Sequence, residues 1–172
     1  MSPAQTRAYV GAGSNLGDRA GNLLLGVRGM LAAGLRIARL SSVYETDPVD
    51  MTGQPHFLNM VAELGAPLPP PEQLLARLLR IEYTAGRTRR GVARGPRTLD
   101  LDLLLYGDQQ RQTDLLTLPH PRLHLRRFVL APLAELVPEH THPTLQQTFA
   151  QLLAATPDTP AVRLWKSKDE RQ

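Results

Sequence analysis

Asp100 and Asp102 stand one residue apart in the apolar run TLDLDLLLY at residues 98–106. The run reads as a strand. Side chains alternate faces along a strand, so the spacing puts both carboxylates on one side. Leu99, Leu101, Leu103 and Leu105 are expected on the other side, filling a core. Two neighbouring carboxylates repel unless a cation sits between them. Hard divalent ions want oxygen ligands, and magnesium commonly takes one or two carboxylates together with substrate phosphates. Two such ions ~3.5–4 Å apart can clamp both ends of a phosphoryl displacement. An acidic pair alone is also what a solvated strand face looks like. What precedes it changes the balance. Arg87, Arg89, Arg90, Arg94 and Arg97 fall within eleven residues, and no acid lies between Glu82 and Asp100. The guanidinium fork matches phosphate oxygens in pairs. Cations suited to a polyphosphate, followed at once by anions suited to a metal, predict a phosphoryl-transfer site.

The elements that must position these groups follow from punctuation and periodicity. Residues 8–12 read as a first strand ending in glycines. Asp18 is placed to cap a helix over 19–33, with Leu23, Val27, Met30 and Leu31 as its apolar stripe. Residues 35–45 read as a second strand, 46–56 as a loop and 57–64 as a third strand. Pro71 opens a helix over 71–85 whose stripe is Leu74, Leu75, Leu78 and Ile81. A glycine-punctuated loop, 86–97, leads into the acidic strand. Helices are expected at 126–136 and 144–155, with a last short strand in the VRLWK tail. One domain over 1–172 is expected, an α+β sandwich of a mainly antiparallel sheet with flanking helices.

Composition sets the boundaries. The chain has 172 residues, 42% of them hydrophobic, and a net charge of +4 with a pI near 10.0. That suffices for a core and argues against a disordered chain. Arginine outnumbers lysine 18 to 2, an excess that an arginine-rich genome would also give. The lack of cysteine excludes disulfides, cysteine-zinc sites and thiol catalysis. No apolar run approaches the ~18 residues of a membrane span, so no membrane partner is expected. The N-terminus lacks a signal-peptide layout, so a cytoplasmic location is expected. Oligomeric state is not legible; a monomer is the default, with a dimer left open.

Weaker signals remain. Gly11, Gly13 and Gly17 follow a strand and precede a helix, but the spacing misses the dinucleotide pattern, so a tight turn is the preferred reading. Pairs among His120, His124, His140 and His142 lack a third zinc ligand at sensible spacing. His120, beside Arg122, Arg126 and Arg127, suits a phosphate contact or a surface position equally. Phe57, Asn59 and Phe128 are among few residues able to grip a flat heterocycle, although a phenylalanine is more often core.

Together these segments resemble the 6-hydroxymethyl-7,8-dihydropterin pyrophosphokinase family. The resemblance runs from about residue 8 to 137 and is carried by GSNLGDR (13–19), YETDP (44–48), QPHFLN (54–59), GPRTLDLD (95–102), LPHPR (118–122) and RRF (126–128). Residues 138–172 add little to it. It implies a ferredoxin-like α+β fold with helices on both faces of the sheet. It implies that Asp100 and Asp102 hold two magnesium ions bridging to the phosphates of ATP, the co-substrate. Arg87 and Arg97 match phosphate ligands in the catalytic set, and His120 and Arg126 match further nucleotide ligands. Glu82, Arg89 and Leu103 match nucleotide-side positions. Phe57 and Phe128 match an aromatic pair that sandwiches the pterin, and Asn59 matches the amide that reads its edge. Thr46, Pro48 and Val49 would wall the pocket. The family often carries Arg-Trp before the Gly-Pro-Arg run, whereas this chain has Ala93-Arg94.

The activity so implied is transfer of pyrophosphate from ATP to the hydroxymethyl group of 6-hydroxymethyl-7,8-dihydropterin, in folate synthesis. Loops 46–56 and 86–97 flank the site, and their glycines suit closure once ATP is bound. The rival class is a small basic nucleic-acid-binding module. No aromatic-rich RNA-reading strand supports it, and acids amid the basic surface oppose it, so no nucleic-acid partner is expected.

Overall fold

The computed structural model of the chain describes residues 5–47, 53, 55–86, 98–157 and 159–166. Pro48, Val49, Arg87, Arg89 and Arg97, the Ala93-Arg94 departure and most of both proposed loops lie outside the described residues.

Strands β1 (Ala8–Ser14), β2 (Arg36–Leu40), β3 (Tyr44–Thr46), β4 (Phe57–Gly65), β5 (Asp100–Tyr106) and β8 (Val162–Leu164) form one sheet in the order β5-β1-β4-β3-β8, with β2 also paired to β4. Every pairing is antiparallel. A separate short ladder joins β6 (Arg111–Gln112) to β7 (Thr117–Leu118). Helices α1 (Arg19–Ala32) and α2 (Pro71–Thr84) cover one face, and α3 (Arg127–Leu136) and α4 (Phe149–Ala155) cover the other. The expected α+β sandwich with helices on both faces is what the chain adopts, and its first seven elements run in a β-α-β-β-β-α-β order.

Local signals set the starts of α1, α2 and α4. The Asp18 carboxylate accepts the Gly21 N–H at 3.0 Å, and Pro71 opens α2. Helix α4 begins at Phe149, later than expected, because Thr148 forms a capping box with Gln151. On α1, Leu23 and Met30 are buried, but Leu31 is 53% exposed and does not belong to the stripe. A Cβ on Gly29 would come within 2.6 Å of Ile81, so this glycine is what lets α1 and α2 approach.

Three further expectations need correction. Residues 35–45 are not one strand. Strand β2 pairs with one end of β4 and β3 with the other, and at the break Ser41 Oγ accepts the Val61 N–H at 2.8 Å. Gly11 and Gly13 are strand residues of β1, not a turn; Gly17, with φ 67°, makes the turn. Leu105 does not share a face with Leu101 and Leu103. A bulge shifts the β1–β5 register between Tyr9 and Val10, so Leu103 faces α1 and α2 while Leu104 and Leu105 both pack toward α3 and α4.

Candidate active site

Cross-strand register assembles the site. Asp100 of β5, Gly13 of β1, Asn59 of β4 and Tyr44 of β3 form one row, and Asp102, Gly11 and Val61 form the next. Cross-strand partners share a face. Phe57 and Thr46 are also partners and lie on this same face, the one that carries α3. Asp100 and Asp102 are half-buried, between the fully buried Leu99, Leu101 and Leu103 of the opposite face. The alternation that placed the carboxylates together therefore holds at the start of β5.

Asn59 is 8% exposed and its Nδ2 donates to Thr46 Oγ1 at 3.3 Å; Thr46 is 1% exposed. Both are buried rather than on a solvated surface. Phe57 is half-buried at the start of β4. Glu82, in the last turn of α2, is 2% exposed, and its Oε1 accepts the Leu101 N–H at 2.7 Å. It thus grips the backbone between the two aspartates from behind. The Leu103 side chain is in the core under α1 and α2, so a nucleotide could meet this position only through backbone.

His120 joins the acidic strand through its backbone N–H, which donates to Leu104 O at 2.9 Å. Its Nδ1 accepts the Arg122 N–H at 3.2 Å, so Nε2 carries the proton of the neutral ring. Burial pushes the imidazole down to about 4, Arg126 and Arg122 add to this, and Asp100 opposes it. His120 is a neutral donor at physiological pH. Arg126 caps α3 with its guanidinium carbon 5.6 Å from the centre of the half-buried Phe128 ring. Arg126 and Arg127 both sit at the positive end of α3, with no acid in its first turn. The Arg127 guanidinium donates to Leu153 O and Thr156 O at the end of α4, whereas Arg126 stays with Phe128 at the site.

An ion-pair cluster that the sequence did not single out lies at the base of β3. Arg19 Nη1 donates to Glu45 Oε2 at 2.9 Å and to His56 O at 2.7 Å. Arg163 Nη2 donates to Glu45 Oε1 at 3.1 Å. Arg19, Glu45 and His56 lie in the GSNLGDR, YETDP and QPHFLN runs, which carried the resemblance without marking these three residues, and Arg163 lies outside all of them.

The donor chemistry of the aspartate pair fits magnesium: oxygen only, on one face, partly open. Among the described residues no third histidine, aspartate or glutamate joins them to make a closed metal cage. An ion there would complete its shell from phosphate oxygens and water, as magnesium does.

The fold and site thus define a small αβα sandwich with paired acids and cationic side chains on one face of its sheet. The family profile described as 7,8-dihydro-6-hydroxymethylpterin-pyrophosphokinase (HPPK) matches residues 9–138. The chain is 43% identical over 162 residues to the 2-amino-4-hydroxy-6-hydroxymethyldihydropteridine pyrophosphokinase of Bacillus subtilis, covering 94% of this chain and 91% of that protein. It is 40% identical over 172 residues to the enzyme of the same description from Synechocystis, covering 96% and 87%. The wild-type HPPK-DHPS structure of Plasmodium falciparum superposes with a TM-score of 0.68 at 14% identity, over 87% of this chain and 44% of that one, a likeness of fold. The chain belongs to the 7,8-dihydro-6-hydroxymethylpterin-pyrophosphokinase family.

Proposed function

We propose that this chain transfers pyrophosphate from ATP to the hydroxymethyl group of 6-hydroxymethyl-7,8-dihydropterin and releases AMP, a step of folate synthesis. The observation that carries the reading is the row Asp100–Gly13–Asn59, which sets a metal-binding type of carboxylate and a buried amide on one sheet face. The nucleic-acid module has no support in the family match.

The pterin lies between Phe57 and Phe128, where offset stacking on a flat ring is favourable. Asn59, oriented by Thr46, reads its hydrogen-bonding edge, and Pro48 and Val49 complete the wall. Asp100 and Asp102 would hold two magnesium ions, which supply charge neutralisation and Lewis-acid polarisation to the phosphates. Glu82 keeps the two carboxylates in register by fixing the Leu101 N–H. Arg126 and the Nε2–H of neutral His120 donate to phosphate oxygens, and Arg87, Arg89 and Arg97 supply further forks. The hydroxymethyl oxygen attacks the β-phosphorus. Its new bond forms as the bond from the β-phosphorus to the α,β-bridging oxygen breaks, the hydroxyl proton passes to water, and AMP leaves with that oxygen and the electron pair. The protein acts mainly by holding groups in line and neutralising charge.

AMP release from ATP with magnesium, with and without the hydroxymethyl pterin, tests the reading. Pterin-dependent AMP is expected. Salt-sensitive oligonucleotide binding without turnover would overturn it in favour of the rival class.

A further inference from the structure

The C-terminal strand β8 lies beyond the residues 9–138 that carry the family match, yet it completes the edge of the main sheet beside β3. Its central residue, Arg163, is the cross-strand partner of Glu45. Three groups receive the Arg163 guanidinium. They are Glu45 Oε1 at 3.1 Å, Asp47 Oδ1 at 3.5 Å and the ring nitrogen Nδ1 of His56 at 2.8 Å. His56 Nδ1 also lies 3.1 Å from Asp47 Oδ1; a guanidinium only donates, so Nδ1 accepts from Arg163 in one ring tautomer and, carrying the proton in the other, donates to Asp47. Asp47 immediately follows Thr46, and His56 immediately precedes Phe57. Arg163 therefore grips both chain ends next to the Thr46–Phe57 pair, and from the face opposite to the pterin side. The second oxygen of Glu45 is taken by Arg19 of α1 at 2.9 Å, and Arg19 also holds His56 O.

We infer that Arg163 is a positioning residue for the pterin pocket: through Glu45, Asp47 and His56 it fixes the Thr46–Phe57 pair from behind. Isolated exposed ion pairs contribute little. This one differs in sharing a carboxylate that is 17% exposed with a second guanidinium, and in spanning two strand ends with one rigid fork. Burial alone would raise the Glu45 carboxyl, but the Arg19 and Arg163 hydrogen bonds and charges outweigh it and hold the group below its usual range. This favours the carboxylate form, in which both Glu45 oxygens accept. A lysine at 163 keeps the charge but replaces the two-nitrogen fork, which meets Asp47 through Nη1 and Glu45 and His56 through Nη2, by a single nitrogen. The pterin role assigned here rests on the function proposed above, whereas the clamp itself does not.

Arg163→Met and Arg163→Lys in the full chain test the inference with two readouts. The first is amide hydrogen exchange at Thr46 and Phe57, which needs no activity. Exchange at both amides is expected to speed up in Arg163→Met and less so in Arg163→Lys, with amides of β1 and β5 unchanged. The second is steady-state kinetics. The KM for the hydroxymethyl pterin is expected to rise about 5–20-fold in Arg163→Met, with the KM for ATP within twofold, and Arg163→Lys is expected to recover part of the loss. Unchanged exchange at Thr46 and Phe57 overturns the clamp. Faster exchange with both KM values altered equally, or neither altered, overturns the positioning role. A wild-type chain that makes no pterin-dependent AMP overturns the proposed function instead, and the exchange result then still decides the clamp.

Discussion

The position a Cβ would occupy on Gly13 lies 2.9 Å from Oδ1 of Asn59. The absent side chain on β1 is what lets the buried amide of β4 lean across the sheet toward β5. Gly13→Ala must displace that amide or bend β1. The expected result is a pterin KM raised on the order of 5–30-fold, the scale of about 1–2 kcal/mol, with ATP affinity unchanged. Gly11→Ala is the control, because its Cβ would meet nothing nearer than the Leu104 side chain, at 3.4 Å. A Gly13→Ala enzyme with the pterin KM of Gly11→Ala would remove Asn59 from the pocket.

Glu82 is expected to matter through the strand it holds. Glu82→Ala strips the Leu101 N–H of an acceptor within a buried setting. Leaving such a donor unmade costs about 1–3 kcal/mol, or roughly 2–10 °C in Tm for a domain this size. Turnover should fall alongside, since the lost contact lies between the two aspartates. Thermal unfolding of the variant at the wild-type temperature would show that the contact is not needed.

His120 is expected to titrate far below an ordinary histidine. In the free protein its ring signal should move with a midpoint near 4, and adding ATP should raise that midpoint because phosphate charge favours the imidazolium. The sign for stability follows. Above the ordinary value of 6.5 both folded and unfolded chains are neutral there, and nothing is lost. As pH falls from about 6.5 toward 4, the unfolded chain takes up a proton that the folded chain refuses, so stability declines. His142, lowered by burial and by His124, adds to the same slope. Denaturant titrations of His120→Asn between pH 7 and 4 should show a shallower decline than wild type. An equal decline, or a ring midpoint near 6.5, would mean that His120 is not in a closed site.

The sequence spoke most clearly where one face is apolar and the other is not. Asp100 and Asp102 could be placed together because Leu99, Leu101 and Leu103 fix the phase of β5. The same logic failed two residues later, at Leu105, because the register shift opposite Tyr9 and Val10 leaves no mark in an all-leucine stretch. It failed again at residues 35–45, where a side-chain hydroxyl, Ser41, replaces a backbone partner and lets two strands share β4. Leu31 looked like core because it continues the α1 stripe, but α2 and the sheet already cover the buried side. The Arg163 clamp was illegible for a different reason. An arginine in a short terminal strand looks like surface until the pairing with β3 brings it opposite Glu45.

The central claim is that the carboxylates of Asp100 and Asp102 gather divalent ions against the phosphates of ATP. Its most direct test is the magnesium dependence of pterin-dependent AMP release in Asp100→Asn and Asp102→Asn beside wild type. Neither change removes a core atom, so both variants should unfold at about the wild-type temperature. Their maximal turnover is expected to drop on the order of 10²–10³-fold, with magnesium needed at higher concentration. Wild-type turnover with an unchanged magnesium profile in both variants would contradict the account.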